Sequence, residues 1–145
     1  MNFDFIIIFY FSKIFIPQKL REKMKYSKYA PMVARYGVSF VFLVFGIWQI
    51  INPQSWLGYL PNFAFGLGMN PLTLLILNGI FDFVIGLSLV TGIFLRFFSF
   101  LGIIHLLGIE IFLGFNDVLI RDIAIMIVLF SVFLNGKDKW CFKKK

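Results

Sequence analysis

The chain is 145 residues long, 60% hydrophobic and only 14% charged, with a net charge of +7. Globular domains are roughly 45–50% apolar and about 25% charged, so a chain of this makeup lacks the polar groups to cover a water-facing surface. The composition excludes a soluble module and points to an all-α integral membrane protein. The charges stand at the ends of apolar runs, without a nucleic-acid motif, so no nucleic acid is expected as a partner.

The single cysteine, Cys141, excludes an internal disulfide and dithiol exchange within the chain. The single histidine, His105, excludes bis-histidine haem ligation within one copy. Scattered carboxylates around one histidine give no metal-ligand spacing, and no metal is expected.

Residues 1–32 read as a basic N-terminal segment, cytoplasmic or interfacial. Phe3 to Ile16 is apolar but too short to span comfortably and is followed by Pro17. It lacks the order of a signal peptide, because the basic cluster comes after it. An interfacial helix and an over-extended reading frame starting at Met24 or Met32 both remain open.

Residues 33–136 form the predicted transmembrane domain, an antiparallel four-helix bundle. A span needs about 20 apolar residues. The first is predicted from about Val33 to Ile51, ending at Asn52-Pro53, and the second from Pro71 to about Leu95. The third is predicted from about Phe97 to Phe115, and the fourth from about Val118 to Leu134, stopping at Asn135-Gly136. Short connections at Arg96 and at Asn116-Asp117 force neighbouring helices antiparallel. The connection from Asn52 to Asn70 is uncharged and rich in aromatics, including Trp56, Tyr59, Phe63 and Phe65. It is expected to lie in the interface and to dip toward the bundle.

Residues 137–145 are a basic tail. Every Lys and Arg except Arg121 lies on one side of the predicted spans. The positive-inside rule then places both termini in the cytoplasm of a multi-pass plasma-membrane protein.

Ionisable groups in hydrocarbon are expensive and mark functional sites by default. From a rise of about 1.5 Å per residue, Asp82 and His105 fall roughly 15–18 Å from the outer edge. Asn78 and Glu110 lie roughly 10 Å below that edge, and Arg121 and Asp122 about 5 Å. Gln49 is similarly shallow. These residues form a candidate polar cluster in the outer half, and the cytoplasmic half reads as almost purely apolar. Asn78, Asp82 and Gly86 share one stripe, as do Gly102, Leu106, Glu110 and Gly114, with glycines permitting close helix approach. His105 and Glu110 stand about 140° apart around their helix. A Glu110–Arg121 salt bridge is expected; Asp82 is expected either to hydrogen-bond His105 or to stay protonated. Each has a purely structural alternative, as packing ion pairs and hydrogen-bonded core groups.

The run R-Y-G-V-S-F-V-F-L-V-F-G-I-W-Q-I-I-N-P from Arg35 to Pro53 resembles the opening helix of DoxX-family membrane proteins. D-F-V-I-G-L-S-L-V-T-G-I-F-L-R from Asp82 to Arg96 is similar to that family's acidic residue, glycine pair and turn arginine. I-R-D-I-A-I-M with Gly136 resembles its fourth helix. Two positions depart: Asp82 stands where the family usually has Glu, and Gln49 where it often has a basic residue. The resemblance implies a four-helix membrane subunit of a quinone-linked, thiosulfate- or thiol-related redox complex. Quinone is then the expected cofactor. The expected partners are the lipid bilayer, a soluble or membrane redox subunit, and optionally a second copy of the chain. The alternatives are a scaffold recruiting a soluble protein through the basic tail, and a small-solute or proton transporter using Asp82 and His105.

Overall fold

A computed structural model describes residues 26–66, 68–114 and 117–142. The expectations for the first 25 residues lie outside them. The chain divides into two compact units, Met1–Ala30 and Pro31–Lys145. Of the first, the described part is a short 3-10 turn, Ser27–Tyr29, with the Lys28 ammonium 5.0 Å above the Tyr29 ring.

The second unit is the all-α four-helix bundle the sequence predicts. Its helices are α1 (Ala30–Ile51), α2 (Pro71–Thr91), α3 (Leu95–Leu113) and α4 (Asp117–Asn135). All four are long and apolar enough to cross a membrane. Large apolar side chains such as Phe40, Phe97, Ile111 and Ile127 point outward from them. Faces of that kind are stable only against an apolar solvent, and the protein is a multi-pass membrane protein.

Local chemistry sets the helix ends. Pro71 occupies the first turn of α2, where its missing N–H costs nothing, and the Asn70 side chain accepts a hydrogen bond from the Leu72 N–H at 2.9 Å. The helix stops at Gly92, whose φ of 73° is a left-handed conformation that a side chain would resist. The α2–α3 turn therefore falls at Gly92–Phe94, two to four residues before the position predicted for it at Arg96. Arg96 sits in the first turn of α3, because Gly92 supplies a stop signal that the apolar run from Leu89 to Leu95 hides.

Between α1 and α2 the backbones nearly touch. A Cβ on Gly46 would lie 2.7 Å from the Gly79 carbonyl oxygen and the Phe83 nitrogen; one on Gly79 would lie 2.8 Å from the Gly46 oxygen. Gly86 packs against Leu43 in the same way. Within lipid, where hydrophobic attraction between helices is absent, such close approach is what holds two helices together. A core of Val38, Phe42, Ile85, Leu89, Leu106, Leu129 and Val132 fills the centre. Hydroxyls inside it are satisfied by main-chain carbonyls: Ser39 of α1 donates across to the Gly86 carbonyl of α2 at 2.8 Å, Ser99 to Leu95 at 2.8 Å, and Ser88 to Ile93.

The end of the bundle where α1 begins and α4 ends (hereafter the terminal end) is not purely apolar, contrary to the sequence expectation. Arg35, 1% exposed, donates from Nη1 to the carbonyls of Leu89 and Val90 at 2.6 Å each. Its Nε and Nη2 grip the Asp138 carboxylate at 2.9 and 3.2 Å. Residues 137–142 are thereby folded back. Asp138 also accepts from the Trp140 N–H at 2.8 Å, Phe142 N–H donates to Thr91 at 2.9 Å, and Cys141 is buried against Gly92. Residues 137–142 are thus part of the packed unit. Counting charges along the chain assigned Arg35 to the flanking cluster, because nothing in the local sequence signals a partner 103 residues away.

Burial works against the charge on Asp138, but the Arg35 guanidinium and the Trp140 N–H hold its carboxyl below the usual carboxylate range; burial pushes the Cys141 thiol up. Because the folded Asp138 binds a proton less readily than the unfolded one, the stability it contributes is complete at neutral pH. It is lost as pH falls below about 3.9 and on through the lowered folded value. Hydrogen exchange should therefore show the Phe142 amide protected at pH 7 and released in that acid window. In Asp138→Asn, which strands a buried guanidinium at a cost of roughly 3–5 kcal/mol, the amide should be released at neutral pH as well. Gly46→Ala is expected to lower the thermal midpoint in detergent by the equivalent of about 1–3 kcal/mol through backbone overpacking. Gly37→Ala, with nothing within 4 Å of the new carbon, should leave the midpoint unchanged or raised.

Candidate functional site

The opposite end of the bundle holds a cavity of about 480 Å³, within the range of small-molecule sites. All four helices and the α1–α2 connection line it. That connection folds as two 3-10 segments, Pro53–Tyr59 and Asn62–Gly66. As expected of an uncharged aromatic loop, it turns inward. Trp56 inserts among Phe45, Trp48 and Tyr59, with ring centroids 5.4, 5.5 and 5.5 Å away. Trp56, Tyr59, Leu60 and Pro61 form part of the cavity wall.

Polar groups enter the cavity at two levels. Deepest are Asp82 of α2 and His105 of α3, with Asp82 Oδ1 3.1 Å from His105 Nε2 and side chains 8% and 15% exposed. The expected meeting of these two residues is seen, but as a close contact without the alignment of a hydrogen bond. Neither atom has a hydrogen-bond partner. The Phe81 ring packs against the imidazole, their centroids 4.8 Å apart and their planes at 63°. Nearer the loop, Asn78 Nδ2 donates to Gln49 Oε1 at 2.8 Å, closing α2 against α1. Gly79 makes this bond possible, because it lets the Gln49 Cβ pack directly on α2.

On α4, Arg121 pairs with its own neighbour Asp122, Nε to Oδ1 at 2.7 Å, and lays its guanidinium 4.9 Å over the Phe45 ring. Asp122 is buried, whereas the Arg121 side chain is 45% exposed.

Of the six candidate residues, Asn78, Asp82, His105, Arg121 and Asp122 line this one cavity, and Glu110 does not. Glu110 is 5% exposed; its carboxyl lies against that of Asp122 and near the Arg121 guanidinium, and no N–H or hydroxyl donor reaches either of its oxygens. The expected Glu110–Arg121 salt bridge is not formed. Asp122, adjacent in sequence and on the cavity side, takes the guanidinium Nε, and the cation–π contact with Phe45 holds it there. Helical spacing could not decide between two carboxylates competing for one arginine. Trp56 and Phe45 were not singled out as site residues; the signal for them was the cluster of rings in a connection without charge.

Chemically the site is an aromatic slot with two amides and an ion pair near its mouth and an imidazole–carboxyl pair at its inner end. Among the described residues, no three His, Cys, Asp or Glu side chains gather closely enough to hold a metal ion.

A buried carboxyl that faces a second carboxyl and no N–H donor adds little to stability, so replacing it with an apolar group of similar shape should be neutral or stabilising. Glu110→Met is expected to keep or raise the thermal midpoint in detergent. Asp122→Leu, which removes the partner of Arg121, should lower it by the equivalent of about 1–3 kcal/mol. A drop in Glu110→Met as large as in Asp122→Leu would show that Glu110 stabilises the fold through its contact with Asp122.

Comparison with known proteins adds no assignment: no family model, no curated protein and no solved structure matches the chain.

Proposed function

We propose that the protein is a membrane subunit of a redox complex that binds a quinone-class molecule in the loop-capped cavity. The observation that carries this reading is the Asp82–His105 pair, unbonded and close-packed at the inner end of an aromatic-walled cavity of about 480 Å³. A quinone presents a flat apolar ring with carbonyl oxygens that accept hydrogen bonds, and its isoprenoid chain is at home in lipid. Aromatic walls suit the ring, and an imidazole beside a carboxyl is a proton donor and acceptor suited to a carbonyl oxygen.

The resemblance of the Arg35–Pro53, Asp82–Arg96 and Ile120–Met126 runs to DoxX-family proteins supports the same reading. With one cysteine and one histidine, the chain cannot build a dithiol or bis-histidine haem centre of its own. A partner subunit would then handle the electrons. The one-sided distribution of Lys and Arg supports placing both termini in the cytoplasm, with the cavity toward the outer leaflet.

Titration of the purified protein with a short-chain 1,4-benzoquinone tests the assignment, because Trp56 in the cavity wall reports an occupant by fluorescence quenching. Saturable quenching is expected, weakened roughly tenfold, or about 1.4 kcal/mol, in Asp82→Asn and in His105→Gln. Quenching that rises linearly with added quinone, and equally in all three proteins, would reflect partition into detergent and would rule the site out.

A further inference from the structure

The terminal end carries a second organised surface, independent of the cavity. Arg96, Lys137 and Lys139 are exposed there, and none of them has an ion pair among the described residues. Asp138, the acid lying between the two lysines, is already neutralised by Arg35. Arg96 folds over the end of α4, where a Cβ on Gly136 would come 3.0 Å from its Nε. Its guanidinium is thereby set beside the start of the lysine-bearing segment. Large aromatics flank these cations: Trp140 is 56% exposed, Phe142 73% and Phe94 72%.

Residues 137–142 are fixed by hydrogen bonds rather than free. Arg35 grips Asp138, Trp140 N–H is held by the same carboxylate, and Phe142 N–H is held by Thr91 beside the turn that carries Phe94. Depth follows from the helix ends. Arg96 is the second residue of α3, and Lys137 and Lys139 follow the end of α4 by two and four residues. All three therefore stand within about 5–10 Å of where the spans end, at headgroup level. Exposed Trp and Phe beside unpaired cations at that level fit a surface that is apolar below and anionic above.

We propose that this face is a preorganised platform for anionic phospholipid headgroups. Arg96, Lys137 and Lys139 meet the lipid phosphates, and Trp140, Phe142 and Phe94 seat among the glycerol backbones and upper acyl chains. Because the segment is already folded, little chain entropy is lost when lipid binds, unlike a flexible polybasic tether. An acidic soluble protein would use the lysines but leave the rings without an apolar surface, so lipid is the occupant the chemistry favours.

Trp140 can report its own neighbours. In a Trp48→Phe/Trp56→Phe background it is the remaining tryptophan of the three. Reconstituted in phosphatidylcholine with equal mole fractions of brominated phosphatidylglycerol or brominated phosphatidylcholine, it should be quenched roughly twofold more by the anionic lipid. That preference should vanish in Arg96→Gln/Lys137→Ser/Lys139→Ser, and at about 0.5 M salt, where screening is short-ranged. Mass spectrometry of the unsubstituted chain extracted in detergent supplies an arm free of tryptophan changes, expected to show phosphatidylglycerol retained over phosphatidylcholine. Equal quenching by the two lipids together with equal retention would overturn the proposal, as would a preference that survives loss of all three cations.

Discussion

In hydrocarbon, a polar group that fails to find a partner inside the protein has nowhere else to find one. This constraint organises the bundle more than apolar attraction does, since the lipid is as apolar as the core. At the terminal end it is met in full: every donor Arg35 uses has an acceptor, two of them main-chain carbonyls and two the oxygens of one carboxylate. At the loop end it is met in part, with Asn78 on Gln49 and Arg121 on Asp122, while among the described residues Trp56 Nε1, Asp82 Oδ1, His105 Nε2 and the Glu110 oxygens have no N–H or hydroxyl partner.

That contrast divides the two ends of the bundle. The terminal end ties α1, the end of α2 and the tail into one satisfied network around Arg35. The loop end keeps a cavity, an aromatic plug at Trp56 and an imidazole–carboxyl contact, Nε2 to Oδ1, outside hydrogen-bond geometry. A protein selected for stability alone would fill such a space with apolar side chains.

Much of this was legible in the sequence, because lipid imposes length and polarity on a helix residue by residue. The four spans follow from apolar runs and from Pro71 and Gly136 as start and stop. The level shared by Asp82 and His105 follows from counting along α2 and α3, and the inward-turning connection from its rings and lack of charge. Long-range pairing was not legible. Arg35 looked like one more flanking cation, Asp138 was one acid among lysines, and the choice of Arg121 between Glu110 and Asp122 depends on the position of Phe45 across the cavity. Such outcomes depend on three-dimensional competition, to which periodicity is blind. The Gly92 stop was hidden for a different reason, since a helix can end inside a continuous apolar run whenever a left-handed residue is available.

The contact of Gly46 with Gly79 has an effect on the cavity as well as on packing. Main chain rests on main chain there, so the spacing of α1 and α2 is set by covalent geometry and not by rotamers that can shift. Gln49 and Asn78, directly alongside, inherit that fixed gauge. One wall of the chamber is therefore fixed in width, and any change in its volume falls to the Trp56 connection and to α3 and α4.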